Sequence, residues 1–386
     1  MSGRGPHYLL TFAFLAIIGS VGPWQAVSEL RDGQSPQCLD LLGRMPSVSN
    51  LRTFESNLED RSVLAGFIRP LMQQLRFTVF QDAGEKAILG RDGWWFYRPD
   101  VRFLTEDCPD DHENRTGPGP AVEAIVAFRE QLAARGIHLV VVPVPGKPSV
   151  YPDKLTDRAL PCDPRIRRHT SNMLDRLAEA RVETIDLLTV FAEARSSGSG
   201  SIEAEPVYLQ ADTHWTNTGV QLAAGEVARR IRELGWAPAG AVDYDLEAVR
   251  VRRAGDVIRM LDCPPVEALF EPHEVVCHRV VRRTDGQAYR DDPGSAILVL
   301  GDSFLRIYER DEPGSAGFIA HLARHLRQPL TSIVNDGGAS TLVRQELSRK
   351  SALLEAKKLV IWEFVERDIR FGLEGWQDVV IGGAAR

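Results

Sequence analysis

The chain opens on a dense apolar run, Tyr8 to Ile18 (YLLTFAFLAII), with Arg4 and His7 before it and Gly19, Gly22 and Pro23 behind it. A helix packed on a globular core would keep a polar face, and this run has none. Its eleven residues fall short of the ~20 a bilayer span needs but suit the apolar region of a signal peptide. Ala26-Val27-Ser28 supplies a small-x-small cleavage site. Residues 1–28 are therefore expected to direct export, as a cleaved signal peptide or as a retained N-terminal membrane anchor. The pattern then becomes amphipathic. Phe54 with Leu58, and Phe67 with Leu71 and Leu75, recur at helical spacing, so residues 29–84 are expected to form a helical extension.

From residue 85 the period changes again. Gly90 to Tyr97 (GRDGWWFY) reads as a turn entering an aromatic strand. Beyond Pro120, continuous apolar runs of four to six residues alternate with helical text. The strands are expected at Ile137–Val142, Val182–Leu187, Ala296–Leu300, Thr331–Val334 and Leu359–Trp362. The helices between and after them are expected at Ala121–Arg135, Arg165–Ala180, Thr218–Leu234, Ser315–Leu326 and Leu342–Ala356. Unbroken apolar strands alternating with helices are what a parallel sheet covered on both faces requires. The predicted fold is α/β, a doubly wound, mostly parallel sheet with helices on both faces, over residues 85–386. Residues 196–204 (SSGSGSIEA) read as a flexible loop, and residues 236–295, rich in Pro, Arg and Asp, as an irregular insertion with some β-structure.

Composition narrows the function. Lys and Arg total 46 against 53 Asp and Glu, a formal net charge of -7, which argues against nucleic acid as the main partner. Five cysteines (Cys38, Cys108, Cys162, Cys263, Cys277) show no CxxC or zinc-type spacing, so no metal centre is expected. In an oxidising compartment disulfides are the natural expectation, with Cys263 and Cys277 able to close a short loop. His321 and His325 stand at i, i+4 without a third ligand, which predicts a solvated helix face.

Chemistry concentrates in two places. The run AILVL ends in Gly301-Asp302-Ser303-Phe304, which displays a serine just beyond a buried strand, where open α/β sheets carry their reactive groups. The same text also suits a helix N-cap. Upstream stands Tyr208-Leu209-Gln210-Ala211-Asp212-Thr213-His214-Trp215. A serine hydroxyl needs a base to take its proton, and a carboxylate to orient that base. Asp212, His214 and Ser303 supply the three roles.

With those residues in view, the chain resembles the SGNH-hydrolase-like domain of the AlgJ/AlgX family of alginate O-acetyltransferases. The resemblance spans roughly residues 85 to 370 and rests on five motifs in order. These are Gly90-Arg91-Asp92-Gly93-Trp94-Trp95-Phe96, Val142-Pro143-Val144-Pro145-Gly146-Lys147 through Tyr151-Pro152-Asp153, Asp212-Thr213-His214-Trp215, Gly301-Asp302-Ser303, and Trp362-Glu363-Phe364-Val365-Glu366-Arg367. Ordinary SGNH esterases place the serine first and use Asp-x-x-His. Here Asp-x-His precedes the serine, the permuted order of the acetyltransferase family. The residues after Ser303 are expected to be used by the sheet and its helices, leaving no room for a C-terminal carbohydrate-binding module. In length and layout the chain is closest to AlgJ.

The resemblance implies that Ser303 takes an acetyl group, with His214 as general base and Asp212 orienting it, and passes it to a hydroxyl of an exopolysaccharide such as alginate. No cofactor is implied. It implies a periplasmic protein, soluble or held at the inner membrane by its N-terminus, served by a membrane-bound acyl-transfer partner. The Ser303 N–H and Asn335, at the end of a strand, are the expected oxyanion donors. Lys147, Tyr151 and Arg367 are expected to contact the polymer, and Trp215 to wall the site from water. Two other readings stay open: a carbohydrate acetylesterase using the same triad with water, and a non-catalytic polymer-binding scaffold of a secretion complex.

Overall fold

The computed structural model describes residues 4–36, 39, 47–106, 119–160, 166–198, 205–372 and 374–382. The chain divides into two compact units, Met1–Asp82 with Asp262–Leu269, and Ala83–Leu261 with Phe270–Arg386.

The first unit is helical. Helix α1 (Arg4–Arg31) absorbs the glycines and Pro23 that were expected to end the apolar run, because Val21, Trp24, Val27 and Leu30 carry the apolar text onward. Leu10–Arg31, 22 residues of mean hydropathy 1.5 and exposed, is long and apolar enough to cross a membrane by length and composition. At 1.5 Å per residue it extends about 33 Å. Helix α2 (Val48–Arg61) starts at Ser47, whose hydroxyl accepts the Asn50 N–H, and α3 (Val63–Phe80) starts at Ser62, whose hydroxyl accepts the Ala65 N–H.

The second unit is built on two small ribbons and a five-stranded sheet. Strand β1 (Ala87–Leu89) pairs antiparallel with β2 (Trp95–Tyr97). The sheet holds β3 (His138–Val144), β4 (Glu183–Thr184), β7 (Ile297–Gly301), β8 (Thr331–Val334) and β9 (Leu359–Val365) in the order β4-β3-β9-β7-β8, all parallel. Between them, β5 (Tyr244–Arg253) and β6 (His273–Arg282) form a ten-residue antiparallel ribbon inside the stretch expected as an irregular insertion.

Strand alternation decides which side chain meets which layer. Val140, Val142, Val144, Ile297, Val299, Leu359 and Ile361 enter one core with α6 (Leu188–Gly198), α7 (Asn217–Leu234) and α8 (Phe318–Leu326). Leu139, Val141, Leu298, Leu300, Val360, Trp362 and Phe364 enter the opposite core with α4 (Pro120–Ala133), α5 (Arg168–Glu179) and α9 (Leu342–Arg349). The expected Val182–Leu187 strand is only two residues long, since pairing with β3 stops at Thr184. Helix α6 also runs through 196–198 of the expected loop, while 199–204 lie outside the described residues.

Cys263 and Cys277, whose spacing would allow a disulfide across a short loop, are both free and buried. Cys277 is an inward residue of β6, and the Cys263 thiol approaches the Pro70 carbonyl at 3.5 Å. Cys38, Cys108 and Cys162 lie outside the described residues. His321 is also corrected: it is fully buried, with neither ring nitrogen hydrogen-bonded among the described residues. Burial pushes its pKa down to about 3, reinforced by the charges of Arg324, His325 and His278. Because the folded pKa lies below the unfolded value, the contribution of this neutral ring is complete above about pH 6.5 and is lost as pH falls toward 3. We expect His321→Leu to flatten the acid limb of thermal stability over that window, measured by melting temperature against pH.

Candidate active site

The site forms where β7 ends. Gly301 admits no side chain: a Cβ there would lie 2.3 Å from the Glu363 carboxylate and 2.5 Å from Leu305. The chain turns at Asp302, whose carboxylate accepts the Phe304 N–H (2.8 Å) and the Val365 N–H of β9 (3.3 Å). The Asp302 N–H in turn donates to Glu363 (3.2 Å). Burial, with the neighbouring Asp302 charge, raises Glu363 well above the usual carboxylate range. Ser303 is thereby set at the first position of a one-turn helix, Ser303–Arg306.

The second part is the 208–215 loop, closed by a bridge between Tyr208 and Trp215. Within it the Asp212 carboxylate accepts the His214 backbone N–H (3.1 Å) and lies 2.6 Å from His214 Nδ1. The other ring nitrogen, Nε2, is 2.9 Å from the Ser303 hydroxyl. Burial works against charge on both groups of the Asp–His pair, but each overrides it for the other. Asp212 is held well below the usual carboxylate range by His214 and Arg253, and His214 is raised above its ordinary value by Asp212 and Asp256. An imidazole so placed can take a proton from a serine hydroxyl and is stabilised on becoming imidazolium.

A sequence profile described as "SGNH hydrolase-like domain, acetyltransferase AlgX" matches residues 87–366. The chain belongs to that family. Similar proteins include the probable alginate O-acetylase AlgJ of Azotobacter vinelandii, 24% identical over 318 residues, covering 81% of this chain and 77% of the relative. The protein of the same name from Pseudomonas fluorescens is 24% identical over 370 residues, covering 94% of this chain and 87% of the relative. Among solved structures, the O-acetyltransferase domain of Pseudomonas putida AlgJ matches with a TM-score of 0.59 at 20% identity, over 76% of this chain and 94% of that one. That likeness shows the fold.

In this AlgX-family chain three residues expected at the substrate, Lys147, Tyr151 and Trp215, are instead buried in the framework, and a fourth, Arg367, is mostly covered. Lys147 donates its three ammonium hydrogens to the carbonyls of Leu209 (3.0 Å), Gln210 (3.1 Å) and Asp212 (2.6 Å), bracing the loop that carries His214. The Tyr151 hydroxyl accepts the Val207 N–H (2.9 Å), and its ring stacks on Trp94. Arg367 is paired with Asp100 (2.9 Å). Trp215 packs between Phe304 and Phe318 in the core, so it supports the site from behind. Polar atoms spent inside the protein are not available to a polymer. Asn335 sits at the end of β8, its N–H donating to the Gly301 carbonyl (3.0 Å), which places it beside the Ser303 turn.

The WEFVER motif proves equally structural. Glu366, fully buried, accepts the Gly146 N–H (2.8 Å), the Ser149 hydroxyl, the Thr170 hydroxyl (2.7 Å) and Arg167 Nε (2.7 Å), knitting the strand end to the PVPGK turn.

A feature not legible in the sequence lies beside Asp212 and His214. A cleft of about 310 Å³ opens onto Asp212 and His214, and its charged lining also includes Arg252, Arg253, Asp256, Arg259, Arg306, Asp311 and Glu312. Arg252, Arg253, Asp256 and Arg259 come from the exit of β5 in the insertion, and Arg306, Asp311 and Glu312 from the stretch after Ser303. Asp212, His214 and Asp256 converge closely enough to suggest a metal. The 2.6 Å separation of Nδ1 and the Asp212 oxygen is however that of a hydrogen bond. Two ligands of a tetrahedral ion at ~2.1 Å would stand about 3.4 Å apart. Arg253 also lies 3.9 Å from the other Asp212 oxygen, where it repels a cation.

Proposed function

We propose that this chain is an exopolysaccharide O-acetyltransferase that carries the acetyl group on Ser303 and delivers it to a hydroxyl of an acidic polymer of the alginate type. The observation that carries this reading is His214 standing between Asp212 (2.6 Å) and Ser303 (2.9 Å) at the cleft. The family and the relatives named alginate O-acetylase support the acceptor class.

In the first half-reaction Ser303 Oγ attacks the acetyl carbonyl of the donor while its proton passes to His214 Nε2. The tetrahedral oxyanion is held by backbone N–H groups of the turn. The amides of Asp302 and Phe304 are engaged by Glu363 and Asp302, so the Ser303 N–H is the donor we assign, with Asn335 as the second. The oxyanion collapses, the leaving group takes the proton from His214, and acetyl-Ser303 remains. A sugar hydroxyl then gives its proton to the same nitrogen and attacks the ester, and Ser303 leaves reprotonated. Asp212 stays ionised throughout and keeps Nδ1 protonated.

The cleft, whose charged lining includes Arg252, Arg259 and the acid-paired Arg253 and Arg306, is the proposed acceptor site, replacing Lys147, Tyr151 and Arg367 in that role. The α1 helix is the proposed export signal or inner-membrane anchor, which would hold the catalytic unit in the periplasm beside a membrane-bound acetyl supplier. The test offers the full-length protein, in detergent, an isotopically labelled acetyl ester with and without an acidic oligosaccharide. Label on the sugar is expected. Label released only as acetate at a rate indifferent to sugar would make the protein an esterase, and no turnover above a Ser303→Ala control would leave a scaffold. For the cleft, Arg259→Glu is expected to raise the KM for the acidic acceptor ~5- to 10-fold, corresponding to ~1 kcal/mol. That effect should shrink with added salt.

A further inference from the structure

Asp212 and His214 sit in a loop with no ladder of its own beyond the Tyr208–Trp215 bridge; Lys147 braces its carbonyls, and a further element must orient the Asp212 and His214 side chains. The exit of β5 does so. Gly255 adopts φ +78°, and a Cβ on it would lie 2.2 Å from the Ala211 carbonyl, so only glycine lets the two backbones approach this closely. Asp256 then grips the loop from both sides. Its backbone N–H donates to the Asp212 oxygen that His214 does not use (3.1 Å). Its own carboxylate accepts the Thr213 N–H (2.6 Å) and the Thr213 hydroxyl. That hydroxyl is 3.1 Å from His214 Nδ1, and the Asp256 carboxylate itself is 3.5 Å from it. One residue of the insertion thus contacts each member of Asp212-Thr213-His214.

We propose that Gly255-Asp256 is a positioning element of the acyl-transfer site, a clasp from the β5–β6 insertion that orients Asp212 and fixes the His214 ring. This rests on the triad reading given above. Asp256 touches neither the serine nor the acetyl carbon, and no proton is assigned to it. It acts through the geometry of the two groups that do the chemistry. An imidazole displaced by even 1 Å from the serine loses on the order of 10²-fold in rate. The clasp also explains why an Asp-x-His spacing can work from an irregular loop: the register is imposed by a second segment more than forty positions away, as the Asp212–Asp256 contact shows.

The test compares Gly255→Ala, Asp256→Ala and Asp256→Asn with wild type and Ser303→Ala, all as full-length protein, by kcat and KM on a chromogenic acetyl ester and by thermal melting. Gly255→Ala and Asp256→Ala are expected to lower kcat ~10- to 100-fold with KM within ~3-fold of wild type. Asp256→Asn, whose amide oxygen still accepts the Thr213 N–H, is expected to recover to within a few-fold of wild type. Variants that melt earlier yet keep wild-type kcat at 25 °C would show a purely structural role and overturn the proposal. So would an Asp256→Asn as slow as Asp256→Ala, since the clasp would then not be the cause. Activity surviving in Ser303→Ala would instead defeat the triad reading beneath it.

Discussion

Ser303→Ala is expected to lower acetyl transfer by 10⁴-fold or more and to leave no acetyl-enzyme. Removing the hydroxyl removes the atom proposed to form the ester, 2.9 Å from the Nε2 of the base. In serine hydrolases with this constellation, loss of the nucleophile leaves only the residual rate due to oxyanion and binding groups, and the rate drop is on the order of 10⁶. His214→Ala should cost about as much, and the double variant little more than either, because the three groups act as a unit. Asp212→Asn should cost about 10⁴ by destabilising the tautomer that presents a bare Nε2 to the serine. The fold should be untouched by Ser303→Ala, since the turn is held by Gly301, by Asp302 on Phe304 and Val365, and by Glu363 on Asp302. The check is intact-protein mass spectrometry after a pulse of acetyl ester, next to a melting curve. Wild type should gain one acetyl group on Ser303, and the variant none at an unchanged melting temperature. A variant that still turns over at more than a few per cent of wild type would falsify the nucleophile assignment.

The parts of this site that were legible in the sequence are those whose chemistry shows in a short window. AILVL followed by Gly-Asp-Ser announces a buried parallel strand and a displayed hydroxyl, and Asp-x-His announces a base with its own carboxylate. The sheet was equally readable, because strands buried on both faces are written as unbroken apolar runs, and β3, β7, β8 and β9 fall on the expected runs. Where the reading strayed, the reason is that exposure is not a local property. Lys147, Tyr151 and Arg367 are polar residues beside motif text, which suggests a surface. Their partners, the carbonyls of 209, 210 and 212, the Val207 amide and Asp100, come from other segments, so no window could reveal them. Asp256 failed to appear for the same reason. It stands in a region of weak periodicity, and the one local hint was the glycine before it. His321 was misplaced because α8 is packed on nearly every side, so helical spacing alone could not identify its solvent face.

Lys147→Met separates the two accounts of that residue, and its expected effect on stability is the largest of any single change considered. The methionine stem follows nearly the same path as lysine and fills a similar volume, so no large cavity opens, although the ammonium's contacts over the Trp94 and Phe96 rings go with the charge. What disappears is the ammonium group. In the folded protein it lies 1% exposed and satisfies three carbonyls at once, at 2.6–3.1 Å. Burial pulls its pKa down to about 8, opposed by Asp256, Asp212 and Asp100, so it still carries its charge near neutral pH. A buried acceptor stripped of its donor costs roughly 1–3 kcal/mol. The Gln210 carbonyl keeps the Trp95 N–H (2.9 Å), so two carbonyls, of Leu209 and Asp212, are stripped, and allowing for water entering the gap a total loss of about 2–4 kcal/mol is expected. For a domain of this size that corresponds to a fall in melting temperature of roughly 10 °C. Activity should fall with it even well below the melting point, because the Asp212 carbonyl is one of the three and its side chain orients His214. Lys147→Arg should not rescue, since a planar fork cannot converge on three carbonyls arranged around a point. A lysine reaching out to an anionic polymer predicts the reverse pattern: an unchanged melting temperature, an unchanged rate on a small acetyl ester, and a raised KM for the acidic acceptor, with arginine as the best substitute. Differential scanning calorimetry beside ester kinetics on the two variants decides between them.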